Sequence, residues 1–356
     1  MVKKRPALLA SLDLSLVNKE AEECTYDPDY HMGITTYRHE GVSIGRDYLR
    51  FEGATISRGE LLPSSLTLQG TIGRGSCSIV EKAVWKPPKN PQETQVVALK
   101  QFPLEARERR DMLIKELRAL CKVDCDCLVK LMGAFLDQDN VTLVLEYMNE
   151  GSLDTVLQEQ MDGTTRRFSN PVLASISYQM LWGLSYLHFE RMIHRDVKPA
   201  NILMNLQGYV KLSDFGIVAI QTSLPHTTVV GTIRYMSPER LRARPYGSSS
   251  DLWSLGLVLL ECEIGESPWA DITSMIDLVM TIEDESIEEY IPDTTEEGMR
   301  ELLLACLQKE QEKRVPASIL LQSPWFESHG IHDVSDAVAM MHRYFQESRN
   351  NDDVRE

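Results

Sequence analysis

Asp196 and Asn201 stand five positions apart in Ile193-His194-Arg195-Asp196-Val197-Lys198-Pro199-Ala200-Asn201, with Lys198 between them. That spacing suits phosphoryl transfer, which asks little covalent help of a protein. It needs a carboxylate to orient a hydroxyl and accept its proton, an amide oxygen on a metal ion, and positive charge near the migrating phosphoryl. Asp196 is the candidate catalytic base, Lys198 would steady the γ-phosphate, and Asn201 would hold Mg²⁺ together with Asp214, which opens Asp214-Phe215-Gly216 after a short apolar segment. His194 has a structural reading, a core histidine bonded to the loop backbone, because nothing in this chemistry needs its imidazole. Arg195 differs: a guanidinium beside the catalytic aspartate is a ready clamp for a phosphate on the loop after Asp214.

A nucleotide must be brought to these groups, and the upstream sequence supplies elements for it. Gly73-Arg74-Gly75-Ser76-Cys77-Ser78-Ile79-Val80 lies between two strand-like runs, the setting of a phosphate-covering flap; a dinucleotide fingerprint would lead into a helix instead. Gly73 and Gly75 let backbone approach phosphates closely, while Ser78 at the third glycine position keeps the amide and stiffens the tip. Standing alone, the same residues would make a plain hairpin turn. Cys77 is either a reactive thiol near Lys100 or an ordinary small filler.

Lys100 ends the buried-looking run 96–99, where its ammonium needs a partner. Glu116 supplies one from a helix expected over 107–121, whose Leu113, Leu117 and Leu120 recur at helical spacing. Two further strands, 128–136 and 141–147, lead into Glu146-Tyr147-Met148-Asn149-Glu150-Gly151, a connector whose backbone suits a purine edge. Leu145 would guard the back of that pocket, and Ile72, Val80, Ala98 and Leu203 would sandwich the ring, or serve as ordinary core. Helical runs over 153–158 and 171–189 then deliver the catalytic stretch.

The composition bounds the alternatives. With 356 residues, 43% hydrophobic and 25% charged, the chain can build a two-lobed enzyme, and no apolar run approaches a membrane span. A net charge of -16 disfavours a nucleic-acid partner. Seven cysteines without paired metal-ligand spacing read as reduced thiols, so a cytoplasmic protein is expected.

Residues 1–64 show no sustained periodicity and are taken as an extension. Inside it, Lys3, Lys4 and Arg5, followed by Leu12 and Leu14, read either as a short docking peptide or as a solvated terminus with incidental lysines. Near the other end, residues 333–345 place Val334, Ala337, Val338, Met341, Tyr344 and Phe345 on one helical face, which either packs back on the domain or docks an activator.

With these motifs in view, residues 65–326 resemble a eukaryotic protein kinase, and Asp196-Val197-Lys198-Pro199-Ala200-Asn201 with Gly231-Thr232 is similar to the serine/threonine pattern. More narrowly, Val230-Gly231-Thr232-Ile233-Arg234-Tyr235-Met236-Ser237-Pro238-Glu239, Asp251-Leu252-Trp253-Ser254-Leu255-Gly256 and Glu146-Tyr147-Met148-Asn149-Glu150-Gly151-Ser152-Leu153 resemble the MAP kinase kinases. The resemblance implies an α+β, bilobal fold: extension 1–64, β-rich N-lobe 65–148, larger helical C-lobe 149–328 and helical tail 329–356. It also implies transfer of the ATP γ-phosphate to a threonine and a tyrosine of a MAP kinase, with Mg²⁺ as cofactor and activation by an upstream MAP kinase kinase kinase.

In that family two activation-loop hydroxyls receive phosphate. Thr228 falls on the second position; the first is Thr222 by the plant-like spacing, with Ser223 in reserve, because the animal spacing lands on Leu224. The basic cluster and leucines near the amino terminus become a MAP kinase docking motif on the same grounds. A serine/threonine kinase outside such a cascade, and a catalytically silent scaffold, are the competing readings.

Overall fold

The computed structural model describes residues 23–26, 34–39, 41–52, 54–58, 61–74, 78–90, 92–104, 107–137, 140–161, 168–214, 233–272 and 274–353. Lys3, Lys4, Arg5, Leu12 and Leu14, the flap tip Gly75, Ser76 and Cys77, and Thr222, Ser223 and Thr228 lie outside them.

The small lobe is a five-stranded antiparallel sheet in the order β6-β7-β8-β10-β9. Its strands are β6 (Leu66–Arg74), β7 (Ile79–Trp85), β8 (Gln95–Pro103), β9 (Leu131–Asp137) and β10 (Asn140–Glu146), with helix α1 (Arg107–Lys122) crossing between β8 and β9. Side chains alternate across a strand, and β8 shows what that achieves. Val97 and Leu99 join a small core with Leu61, Ala83, Phe135 and Val144. Ala98 belongs to the larger core, which also takes in the apolar face of α1, and Lys100 shares its face of the strand.

The described residues between 23 and 58 differ from the expectation of an unpatterned extension. They form a second five-stranded meander, β1 (Glu23–Tyr26), β2 (Ile34–His39), β3 (Val42–Gly45), β4 (Tyr48–Phe51) and β5 (Ala54–Arg58), in sequential order. Tyr37, Ile44 and Leu49 are fully buried. Their strands are too short, at four to six residues, for a period-two pattern to stand out.

The large lobe is built on two helices that are apolar almost all round and therefore sit inside it. These are α3 (Asn170–Phe189) and α5 (Ser249–Ile264). Helix α2 (Leu153–Met161) precedes them in space beside the short hairpin β11 (Ile202–Met204) and β12 (Val210–Leu212). Outer cover comes from α4 (Pro238–Leu241), α6 (Met275–Asp284), α7 (Glu297–Cys306), α8 (Ala317–Leu320) and α9 (Pro324–Ser328). Arg314, with no side-chain exposure, forks onto Glu239, its Nη1 and Nη2 each 2.7 Å from a carboxylate oxygen, and ties α4 to the α7–α8 segment. No helix among the described residues is long and apolar enough to cross a membrane.

The tail is helix α10 (Val334–Asp353), lying along α3. Ala337, Met341 and Phe345 are buried, so its apolar face packs back on the domain. The approach is close enough that Gly208, at φ +92°, admits no side chain: a Cβ there would stand 2.0 Å from the Val338 carbonyl oxygen.

Candidate active site

Register places the residues expected to face a nucleotide side by side. Gly73 on β6 pairs with Val80 on β7, Val80 with Lys100 on β8, and Ala98 on β8 with Leu145 on β10. Leu203 on β11 bridges Ser152, just beyond the connector that follows β10. Leu145 and Met148 are buried, Val80 and Leu203 half-buried, and Ile72 is 49% exposed. The result is an apolar surface open on the β6 side.

Lys100 is 2% exposed and Nζ donates to Glu116 Oε1 at 2.8 Å and Asp214 Oδ1 at 2.6 Å. Burial lowers the ammonium's pKa, but the two carboxylates outweigh it and the net shift is upward, so Lys100 is held charged. Burial pushes the Glu116 carboxyl up, against the stabilising charge of Lys100.

The catalytic stretch is organised from beneath by Asp251 at the start of α5. Its carboxylate, 1% exposed, accepts from the backbone N–H of His194 at 2.9 Å and of Arg195 at 2.8 Å, and meets His188 Nε2 at 2.9 Å. Those bonds fix Arg195 in a left-handed conformation, φ +72°, which a non-glycine residue adopts only when its surroundings impose it. Arg240 Nη1 donates to the Arg195 carbonyl at 2.7 Å, adding a second hold. His194 is buried and its pKa is lowered by that burial. Its Nδ1 accepts from Asp196 N at 3.3 Å, so Nε2 carries the proton toward Ser213 O at 3.0 Å. The imidazole joins the stretch 193–201 to the strand before Asp214.

On that platform Asp196 Oδ2 accepts from Lys198 Nζ at 2.7 Å and from Asn201 Nδ2 at 2.9 Å. Asn201 Nδ2 also donates to the Asp196 carbonyl at 2.8 Å, which turns the carboxamide oxygen the other way. Ser213 donates to the Asn201 carbonyl through its N–H at 2.9 Å and its Oγ at 3.1 Å, holding Asn201 beside the Asp214 backbone. Asp214, itself at φ +60°, keeps 40% of its side chain exposed. A partly exposed carboxylate and a carboxamide oxygen are hard donors that suit Mg²⁺, which is commonly bound by few protein groups plus phosphates.

Two relationships were not visible in the sequence. Glu146 spends its carboxylate on Lys211, with Nζ at 2.7 and 2.9 Å, and on Lys130 N at 2.7 Å, so the side chain is engaged within the fold. Lys211, 3% exposed, had no local signal beyond a charge inside an apolar strand. Asp251 was legible as a helix start, whereas its grip on His194 and Arg195 depends on chain segments more than fifty residues apart.

A protein kinase domain family matches residues 66–326. Among similar curated proteins, mitogen-activated protein kinase kinase 3 of Arabidopsis thaliana is 39% identical over 271 residues, 73% of this chain and 49% of that protein. Mitogen-activated protein kinase kinase 2 of the same plant is 35% identical over 280 residues, 76% of this chain and 74% of that protein. Mitogen-activated protein kinase kinase SIPKK of Nicotiana tabacum is 36% identical over 273 residues, 74% of each chain. The chain thus spans about half the length of the first relative and about three quarters of the other two.

Proposed function

The chain belongs to the protein kinase family and, within it, to the MAP kinase kinases, and from that premise we propose that it moves the γ-phosphate of ATP onto a threonine and a tyrosine in the activation loop of a MAP kinase. The observation that carries the reading is the convergence of Lys100, Glu116 and Asp214 on one side and Asp196, Lys198 and Asn201 on the other, joined through Ser213 and His194.

ATP enters between the lobes, its ring against Val80, Ala98, Leu145, Met148 and Leu203, with the connector backbone on its edge. Gly73, Arg74 and Gly75 begin the flap over the phosphates, and Ile72 closes the open side. Lys100, kept charged by Glu116, meets the α- and β-phosphates. Asn201 and Asp214 would hold Mg²⁺, which would supply positive charge to offset that of the phosphates. Asp196 Oδ2 is occupied by Lys198 and Asn201, which leaves Oδ1 to orient the incoming hydroxyl and take its proton. Lys198, paired with Asp196 at 2.7 Å, steadies the γ-phosphate in this reading.

Regulation and partners follow from the same reading. Phosphate on Thr228 and Thr222, placed there by an upstream MAP kinase kinase kinase, orders the substrate-receiving loop against basic residues including Arg195. Lys3, Lys4, Arg5, Leu12 and Leu14 dock the substrate MAP kinase. The test is labelled-phosphate transfer to a catalytically dead MAP kinase by the full chain and by a chain lacking residues 1–14. Transfer by the full chain, with loss of MAP kinase labelling and retention of labelling on a generic peptide after truncation, supports the reading. Equal labelling of the MAP kinase by both chains contradicts docking.

A further inference from the structure

Ile44, Leu49 and Phe51 take no part in the chemistry above, yet they share one buried cluster with the apolar stripe of the helix that carries Glu116. Ile44 and Leu49 are fully buried and face each other across β3 and β4, and Phe51 is 7% exposed. On α1, Leu113 and Leu117 are fully buried and Leu120 nearly so. At about 100° per residue these three leucines lie within roughly a third of a turn of Glu116. A helix that rolled on this stripe would therefore swing Glu116 with it.

The meander holds α1 at two places and the strand that follows it at several more. Strand β3 packs on α1 directly, and Lys122, in the last turn of α1, sets its ammonium 5.8 Å from the centre of the Phe51 ring. Strands β2, β3, β4 and β5 all lie against β9. The conformation so braced is the one in which Lys100 and Glu116 are 2.8 Å apart. The kinase-domain match begins at residue 66, so the bracing sheet lies outside the matched domain.

We propose that Ile44, Leu49 and Phe51 are positioning residues for phosphoryl transfer, the amino-terminal meander being a splint in cis that fixes α1 where Glu116 stays on Lys100. This deepens the kinase reading and rests on it. The splint supports activity while docked; a sheet that had to leave before turnover would be an inhibitor, and the two roles predict opposite signs.

The experiment uses the full chain carrying Ile44→Ala or Phe51→Ala, assayed well below its melting temperature for kcat and ATP KM on a generic peptide, together with amide hydrogen exchange. The expected result is a kcat about tenfold lower, a displacement effect on a preorganised site, with faster exchange over residues 107–122 and unchanged exchange in α5. Adding Ile44→Ala to Glu116→Gln should then change kcat by less than about twofold, because residues acting through one another are not additive. An unchanged or raised kcat overturns the proposal, as does an equal fractional loss in both backgrounds. If the unaltered chain transfers no phosphate the kinase reading fails by itself, and unchanged exchange over 107–122 in the variants overturns the splint separately. Should the alanine variants not fold, Ile44→Val and Phe51→Leu carry the same readouts.

Discussion

Lys100 and Asp214, 114 positions apart in the chain, meet at 2.6 Å, and their contact joins the sheet of the small lobe to the end of the catalytic hairpin. Glu116 makes the third member of that cluster. Removing the cation, as in Lys100→Met, should lower kcat by roughly 10²- to 10³-fold, the typical loss of one preorganised charge-stabilising group. Steady-state kinetics against ATP measure it, and a change confined to ATP KM would speak against a role in transfer.

Asp196→Asn should keep the hydrogen bonds from Lys198 and Asn201 while removing the proton acceptor. The expected loss in kcat is about 10²- to 10⁴-fold, with ATP affinity by calorimetry close to that of the unaltered protein. Weakened nucleotide binding of the same size as the kinetic loss would make Asp196 a binding group instead.

Asp251 and Glu239 set an acid limit on stability. Both carboxyls have pKa values lowered in the folded chain, although burial opposes this: Asp251 by the His188 hydrogen bond and nearby charge, and Glu239 by Arg314. A depressed value stabilises the fold above the ordinary value, 3.8 for Asp251 and 4.5 for Glu239, and that gain disappears as pH falls through the folded value. Urea unfolding at stepped pH should therefore show stability falling below pH ~4.5. Asp251→Ala should cost roughly 3 kcal/mol at neutral pH by orphaning the His194 and Arg195 amides, and it should flatten the acid limb.

Charge on the activation loop is the next prediction. A Thr222→Glu and Thr228→Glu double variant should turn over at least about tenfold faster than unphosphorylated protein, since added negative charge orders such loops through basic partners. Unchanged turnover beside a demonstrably unphosphorylated parent would remove these two residues from the activation scheme.

The grouping of Asp196, Lys198 and Asn201 was readable early because it is short-range: the three lie within six positions, and their side chains meet in the fold. Helices α1 and α3 were readable for a related reason, since Leu113, Leu117 and Leu120 repeat along one face and residues 171–189 are apolar at most positions, with no glycine or proline between Pro171 and Gly183. The meander was not. Val42 and Ile44, or Leu49 and Phe51, give each strand only a pair of inward apolar side chains, and what buries them is a surface formed by β9 and α1 much later in the chain. Lys211 and Glu146 were opaque in the same way: each looks locally like a charge to be solvated, and only the fold brings them within 2.7 Å.

The most direct measurement is phosphosite mapping by mass spectrometry on a catalytically dead MAP kinase incubated with Mg·ATP and either the unaltered chain or Asp196→Ala. The account predicts phosphate on both the threonine and the tyrosine of the substrate's activation loop with the unaltered chain and on neither with the variant. Equal phosphate with both proteins, or none with an unaltered chain carrying phosphate on Thr222 and Thr228, would contradict it.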